Sequence, residues 1–326
     1  MSSRRNYWRR VAQAYLGRGG SQLTFWHERP AVNEAVDMMD PLSGYYMKFA
    51  DKASYAGPFD GDGVPLLDYH GVIGQQYNPI AVAQYGLAWF NRYVATGDLA
   101  ARAVFLTQCD WLASHLEQNE KGLAVWMHHF DWEYGGILRA PWYSALAQGS
   151  GLSALVRAFA LTGDGRYQDA AVRAFTACLT PISNGGVQFV DAQGDIWLEE
   201  YIVDPPSHVL NGFMWTLWGI RDYSLILHDD RAEDLFEAGI ATVAANLARF
   251  DTGYWSTYDL FPMHGMRLVA SPFYHRLHIV QLNVMSKVTG NMVFGRTAEK
   301  WTEYQQDWFK RKRAYMDRAI FKVLYY

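Results

Sequence analysis

Cysteine is scarce: Cys109 and Cys178 are the only two in 326 residues. Both fall within stretches of helical spacing with no metal-ligand interval around them, so each reads as a small buried hydrophobe, and no disulfide framework is expected. Positive charge is not in excess either. The 29 Lys and Arg against 33 Asp and Glu leave a net charge of −4, which removes the basic footprint of a nucleic-acid partner. The Lys/Arg run at 310–313 reads as a solvated tail. No apolar run reaches the length of a membrane span. Arg4, Arg5, Arg9 and Arg10 make the N-terminus basic, but Gln13, Gly17, Arg18 and Gln22 interrupt any signal-peptide core, so a cytoplasmic location is expected. A helix is expected over 7–16, and the arginines from Arg4 to Arg18 read as an ordinary solvated helix face rather than an amphipathic contact with an anionic membrane surface. No G-x-G-x-x-G follows a strand, so no dinucleotide cofactor is expected.

Hydrophobic residues make up 50% of the chain, and 13 Trp, 21 Tyr and 17 Phe give an aromatic share of 16%. That supports a large core, and Tyr and Trp also suit stacking on sugar rings. Residues 1–76 read as an irregular, β-containing segment. Short strands are expected over 24–27 and 43–49, and a hairpin over 66–69 ahead of Gly71. Asp60-Gly61-Asp62-Gly63 resembles the start of a calcium loop but lacks the later Glu.

From residue 77 the pattern changes to paired helices. Asn78-Pro79 is an N-cap with proline at the first helical position. The expected helices are 79–96, 99–116, 144–161, 167–179, 208–227, 232–249, 275–288 and 297–309. Ser207, after Pro205-Pro206, is the expected N-cap of the fifth. Their corners repeat: Gly97 to Gly163 is 66 residues, Gly163 to Asp229 is 66, and Asp229 to Gly290 is 61. Repeated helical hairpins share a core between neighbours. The first helix of each pair is the more apolar and is placed inside. The expected fold is therefore mainly α: an (α/α) toroid of about four hairpins over 77–326. A β-hairpin is inserted after Gly185-Gly186, turning at 191–194, and the segment 1–76 packs on the toroid.

The longer loops deliver polar aromatic clusters to one end. They are Gln76-Tyr77-Asn78, Trp142-Tyr143-Ser144 with Gln148, Glu199-Glu200-Tyr201, Tyr254 to Asp259, and Tyr274-His275-Arg276 with His278. Helix N-termini there add partial positive charge, which suits an anionic substrate. Any single Tyr is more often a packing residue. Glu199 and Glu200 are contiguous, so at most one faces the cavity. His275 and His278 lack a third ligand, and hydrogen-bonding or substrate-binding roles are expected rather than a metal.

Three segments together resemble the D-glucuronyl C5-epimerases in their C-terminal domain. They are Pro141-Trp142-Tyr143-Ser144-Ala145-Leu146-Ala147-Gln148-Gly149, Glu199-Glu200-Tyr201 with Pro205 to Gly212, and Tyr258-Asp259-Leu260 with Tyr274-His275 to Gln281-Leu282. The resemblance implies an αα-toroid that converts glucuronate to iduronate in a polysaccharide. It implies catalytic roles for Tyr201, Tyr258, Tyr274 and Glu200, and a substrate contact at Asn211. Tyr77, Asn78, Tyr143, Gln148, His275, Arg276 and His278 complete the expected substrate-binding set. Animal members carry an arginine after Tyr-Asp-Leu where this chain has Phe261, which leaves Arg267 or Arg276 as replacements. The resemblance does not extend to their large β-rich N-terminal part, so a homodimer is left open.

Epimerisation at C5 needs a base on one face, an acid on the other, and donors that stabilise an enediolate-like anion. A phenolate favoured by Arg276 or a protonated His275 would supply a strong base. No redox cofactor or metal is required. The alternatives are a polysaccharide lyase, a glycoside hydrolase pairing Glu200 with Asp259 or Asp131, and a sugar-binding module.

Overall fold

The computed structural model describes residues 25–26, 29–262 and 265–325. The helix expected over 7–16 lies outside the described residues, as do Thr24 and His27. The chain is mainly helical. After the hairpin of β1 (Leu66–Asp68) and β2 (Gln75–Tyr77) come α1 (Pro79–Thr96), α2 (Leu99–Ser114), α3 (Ala145–Thr162), α4 (Gly165–Leu179), α5 (Leu210–Leu227), α6 (Asp230–Asn246), α7 (Pro272–Thr289), α8 (Met292–Gln306) and α9 (Trp308–Tyr325). Between α2 and α3 lie six two-residue strands, β3 to β8, spread over 117–143. The inserted hairpin pairs β9 (Gln188–Val190) antiparallel with β10 (Ile196–Leu198).

The four hairpin corners share one device. The first helix ends on a left-handed residue, at φ 70° for Gly97 and Gly163, 55° for His228 and 68° for Gly290. The next residue (Asp98, Asp164, Asp229 or Asn291) then accepts a hydrogen bond from the first turn of the second helix. Glycine takes positive φ without a Cβ clash, whereas His228 carries a cost of about 1 kcal/mol. This device explains why α8 starts at Met292 and not at 297.

The first helices are buried almost all round. In α3 every residue from 145 to 158 is buried, and in α5 every residue from 210 to 223. The second helices expose a charged face, as an outer layer does. α3 packs against both α1 and α5, and α5 also touches α7. The α3–α5 contact is close because two glycines face each other: a Cβ on Gly219 would lie 1.9 Å from the Gly149 carbonyl oxygen.

Residues 41–46 seal the end of α3 and α5 remote from the loops that carry the proposed site. There Arg157 and Asp222, both fully buried, form an ion pair at 2.5 Å. The Tyr46 and Ser153 hydroxyls donate to the same carboxylate at 2.7 Å each, and Arg157 also donates to the Pro41 carbonyl at 3.0 Å. A buried pair of this kind holds only when its remaining hydrogen-bonding sites are filled.

Several local expectations are corrected. Residues 43–49 form no strand: Pro41–Ser43 is a 3-10 turn, and Met47 makes only an isolated bridge to Val32. Phe25 and Trp26 are helical. Ser207 does not cap α5, whose N-cap is Val209 with no side-chain bond. The last outer helix ends at Gln306, and the tail beyond it is the further helix α9.

Candidate active site

A cleft opens at the N-terminal ends of the first helices. It holds about 980 Å³ free of protein atoms, its open mouth included, within the range of small-ligand sites. All four first helices contribute to its lining: Ile80 and Gln84 from α1, Leu146 from α3, Asn211 and Trp215 from α5, and Phe273, Tyr274 and Leu277 from α7. Aromatic walls come from Trp26, Phe130, Trp132 and Trp142, and polar groups from Lys52, Tyr69, Asn78, Glu200 and Tyr201.

The two adjacent glutamates part company just past β10. Glu199 turns into the Pro205-Pro206 loop. Its Oε2 accepts from the Ser207 hydroxyl at 2.9 Å and the His208 amide at 3.0 Å, and its Oε1 lies 2.6 Å from His208 Nδ1. Glu200 faces the cleft and is 5% exposed. Among the described residues its Oε2 has no hydrogen-bond partner, and neither has Oδ1 of Asn211 in the first turn of α5. Gly212 makes the space: a Cβ there would stand 2.1 Å from Glu200 Oε2. Burial pushes the Glu200 carboxyl up to about 7, a rise that the Tyr201 and Tyr258 hydroxyls partly offset.

Three phenols surround this carboxylate. Tyr201 and Tyr274 line the cleft. Tyr258 sits behind them, its hydroxyl donating to Glu200 Oε1 at 3.5 Å and its ring edge-on to Tyr274 at 4.8 Å. Burial, and then the Glu200 charge, raise Tyr201, Tyr258 and Tyr274 well above the usual tyrosine value. Tyr201 also stacks on Tyr134 at 4.1 Å, and Tyr134 donates to Asp259 at 2.5 Å. Asp259 is itself pushed up to about 7 by burial.

Asn78 lines the cleft as the N-cap of α1, accepting from the Ile80 amide at 3.0 Å and donating to the Tyr69 hydroxyl at 2.8 Å. Asn211 also lines the cleft, and the other expected contacts lie elsewhere. Tyr77 is 38% exposed and donates to Asp60. Tyr143 donates to the Gly185 carbonyl. Gln148 is spent on the backbone of Trp126, Ala124 and Ala174. His275 stacks on Trp255 at 3.7 Å between Ser256 and the Trp301 carbonyl, and His278 shares Ser256 with it. Burial holds His275 down to about 4 and His278 well below its usual value, so neither is a cation beside the phenols. Arg276 points to the Pro30 carbonyl and Arg267 to the Asp251 carbonyl. Among the described residues lining the cleft, the one cation is Lys52.

Sequence reasoning missed Lys52, Tyr69, Tyr134 and most of the tryptophans. For Trp142 a signal existed. On β8 (Trp142–Tyr143) neighbouring side chains point to opposite faces, and the polar aromatic was chosen where the tryptophan faces the cleft.

The fold and site thus define a protein of helical hairpins with an aromatic-lined cleft holding one carboxylate and its phenols. Residues 118–303 match the family model described as the D-glucuronyl C5-epimerase C-terminus, and the chain belongs to that family. It is 33% identical over 218 residues to a D-glucuronyl C5-epimerase of Caenorhabditis elegans, a match covering 61% of this chain and 34% of the worm protein. It is also 28% identical over 269 residues to an uncharacterised protein of Methanocaldococcus jannaschii, covering 76% of this chain and 85% of that one. The chain therefore spans about a third of the length of the worm enzyme.

Proposed function

We propose that the chain is an isomerase that inverts C5 of D-glucuronate residues in a polysaccharide, giving L-iduronate. The observation that carries this reading is the buried Glu200 carboxyl, raised to about 7 and, among the described residues, without a partner at Oε2, beside phenols that burial keeps protonated. Family membership supports it. Four hairpins arranged as an (α/α) toroid over 77–326 fit the contacts between first helices and their common share in the cleft.

In this mechanism Glu200 is the base. The C5–H bond breaks, the proton passes to Glu200, and the electron pair moves into the C5–C6 bond as an enediolate. Hydrogen-bond donors in the cleft stabilise the added charge. Tyr201 or Tyr274 then donates its hydroxyl proton to the opposite face of C5. The resulting phenolate is reset by the Glu200 proton, through Tyr258 or through water. The phenols act as acids here, since burial raises all three well above the usual tyrosine value. Tryptophan walls would hold the sugar rings.

A hydrolase would require a second carboxylate facing the bond. Asp259 is taken by Tyr134, and Asp131 pairs with Arg139 on the surface, so that reading has no supporting observation. A lyase shares the first proton transfer and differs in leaving a double bond. The test is incubation with an unsulfated glucuronate polysaccharide in deuterated water. Deuterium at C5 of an intact chain is expected; cleavage without C5 label, or an unsaturated product absorbing in the ultraviolet, would replace the reading.

A further inference from the structure

We propose that Lys52 binds the carboxylate of the sugar residue held against Glu200 and sets the preference of the cleft for uronates over neutral sugars. The inference rests on the reading of the cleft as a uronate site.

Lys52 lies on a single helical turn, Ala50–Ala53, outside the residues matched by the family model. It is 4% exposed, yet it lines the cleft. Its Nζ donates to the Phe25 carbonyl at 2.9 Å and stands 4.3 Å from the Phe25 ring centre, with Trp26 and Phe49 each at 5.4 Å. Aromatic faces of this kind hold an ammonium in place. The turn is set by Phe49, a buried non-glycine residue at φ 50°. Phe49 is clamped between Tyr45 and the cleft residue Trp215, with ring centres at 5.3 and 5.6 Å. Backbone strain held by surrounding packing is concentrated where it serves a site.

The rest of the cleft needs such a group. Proton removal at C5 adds charge to a carboxylate that is already negative, and a fixed cation stabilises that charge more than the ground state. Phe261 occupies the position after Tyr258-Asp259-Leu260, and its ring packs on Tyr134. The candidate arginines 267 and 276 donate to the backbone carbonyls of Asp251 and Pro30, and neither guanidinium lines the cleft. Lys52 and Glu200 reach the same cleft from distant parts of the chain. A uronate whose carboxylate meets Lys52 therefore occupies the cleft that Glu200 also faces.

The experiment is calorimetric titration with an unsulfated glucuronan oligosaccharide and with its carboxyl-reduced counterpart. The proteins compared are the parent, Lys52→Met and Lys52→Arg. A charge-assisted bond predicts that the parent prefers the uronate by about 10–100-fold. Lys52→Met should bring that preference within about 3-fold while binding of the reduced oligosaccharide stays as in the parent, and Lys52→Arg should restore it. If Lys52→Met fails to fold, Lys52→Gln supplies the neutral arm. A neutral variant that keeps the parental preference overturns the role of Lys52. A parent that shows no preference for the uronate overturns the reading of the cleft, and this inference with it.

Discussion

Replacing Glu200 with Gln should make the protein more stable relative to the parent as pH rises, while removing its proposed base. In the native state burial raises this carboxyl from an ordinary 4.5 to about 7. Between those two values the folded protein holds a proton that the unfolded chain has lost. The parental stability contribution is therefore fully present below about pH 4.5 and is lost as pH climbs through about 7. Each tenfold change in proton affinity is worth about 1.4 kcal/mol, so the loss between about pH 5 and pH 8 is about 2–3 kcal/mol. The amide of the Glu200→Gln variant cannot ionise and escapes this loss. Denaturant midpoints for both proteins across that range, compared at constant m-value, read the effect as a widening gap in favour of the variant. Other titrating groups are common to both proteins and cancel to first order. A gap that stays constant with pH would refute the claim that Glu200 is a buried carboxyl held near neutrality.

Three further outcomes follow from the geometry. Gly212→Ala drives a Cβ into the position of Glu200 Oε2; misplacing the base on the ångström scale should lower kcat by about 10²-fold with the fold retained by circular dichroism. Asp222→Asn leaves Arg157 buried without its counter-charge, and urea denaturation should record a loss of about 3–5 kcal/mol. The rate constant kcat/KM should fall about tenfold per pH unit below about pH 7, where Glu200 takes up its proton; a profile flat down to about pH 5 would remove Glu200 as the base.

Much of the helical frame was legible because its signals are local. Apolar runs at helical spacing and the Thr-Gly-Asp corners depend on the chain within a few residues, and the near-equal intervals announced the repeat. The limits lay where tertiary contacts decide. Ser207 looks like an N-cap in isolation, but Glu199 captures both its amide and its hydroxyl. Residues 310–313 look like a solvated tail because their charge masks the apolar spacing of Ala314 and Phe321, the two buried residues of α9.

The site followed the same division. Residue types and their clustering at loop ends pointed to the right end of the helices. Which member of each cluster faces the cleft is a matter of strand alternation and helix phase. Tyr77 and Tyr143 turn to other partners, whereas Tyr201 and Tyr274 reach the cleft. Gln148, His275 and His278 illustrate a further difficulty. Their types suit catalysis, yet Gln148 and His275 are engaged by buried groups from other segments, and His278 Nδ1 by Ser256. Lys52 carries no sequence signal, because its turn is fixed by ring packing across the fold rather than by any periodicity.

Solvent exchange at C5 tests the central claim most directly. The parent protein, incubated in deuterated water with an unsulfated glucuronate polysaccharide, should place deuterium at C5 of an uncleaved chain, detected by mass and proton resonance. Glu200→Gln should reduce that rate by about 10²–10⁴-fold, the usual contribution of a general base. Exchange by the Gln variant at the parental rate, or no C5 label with the active parent, would contradict the account.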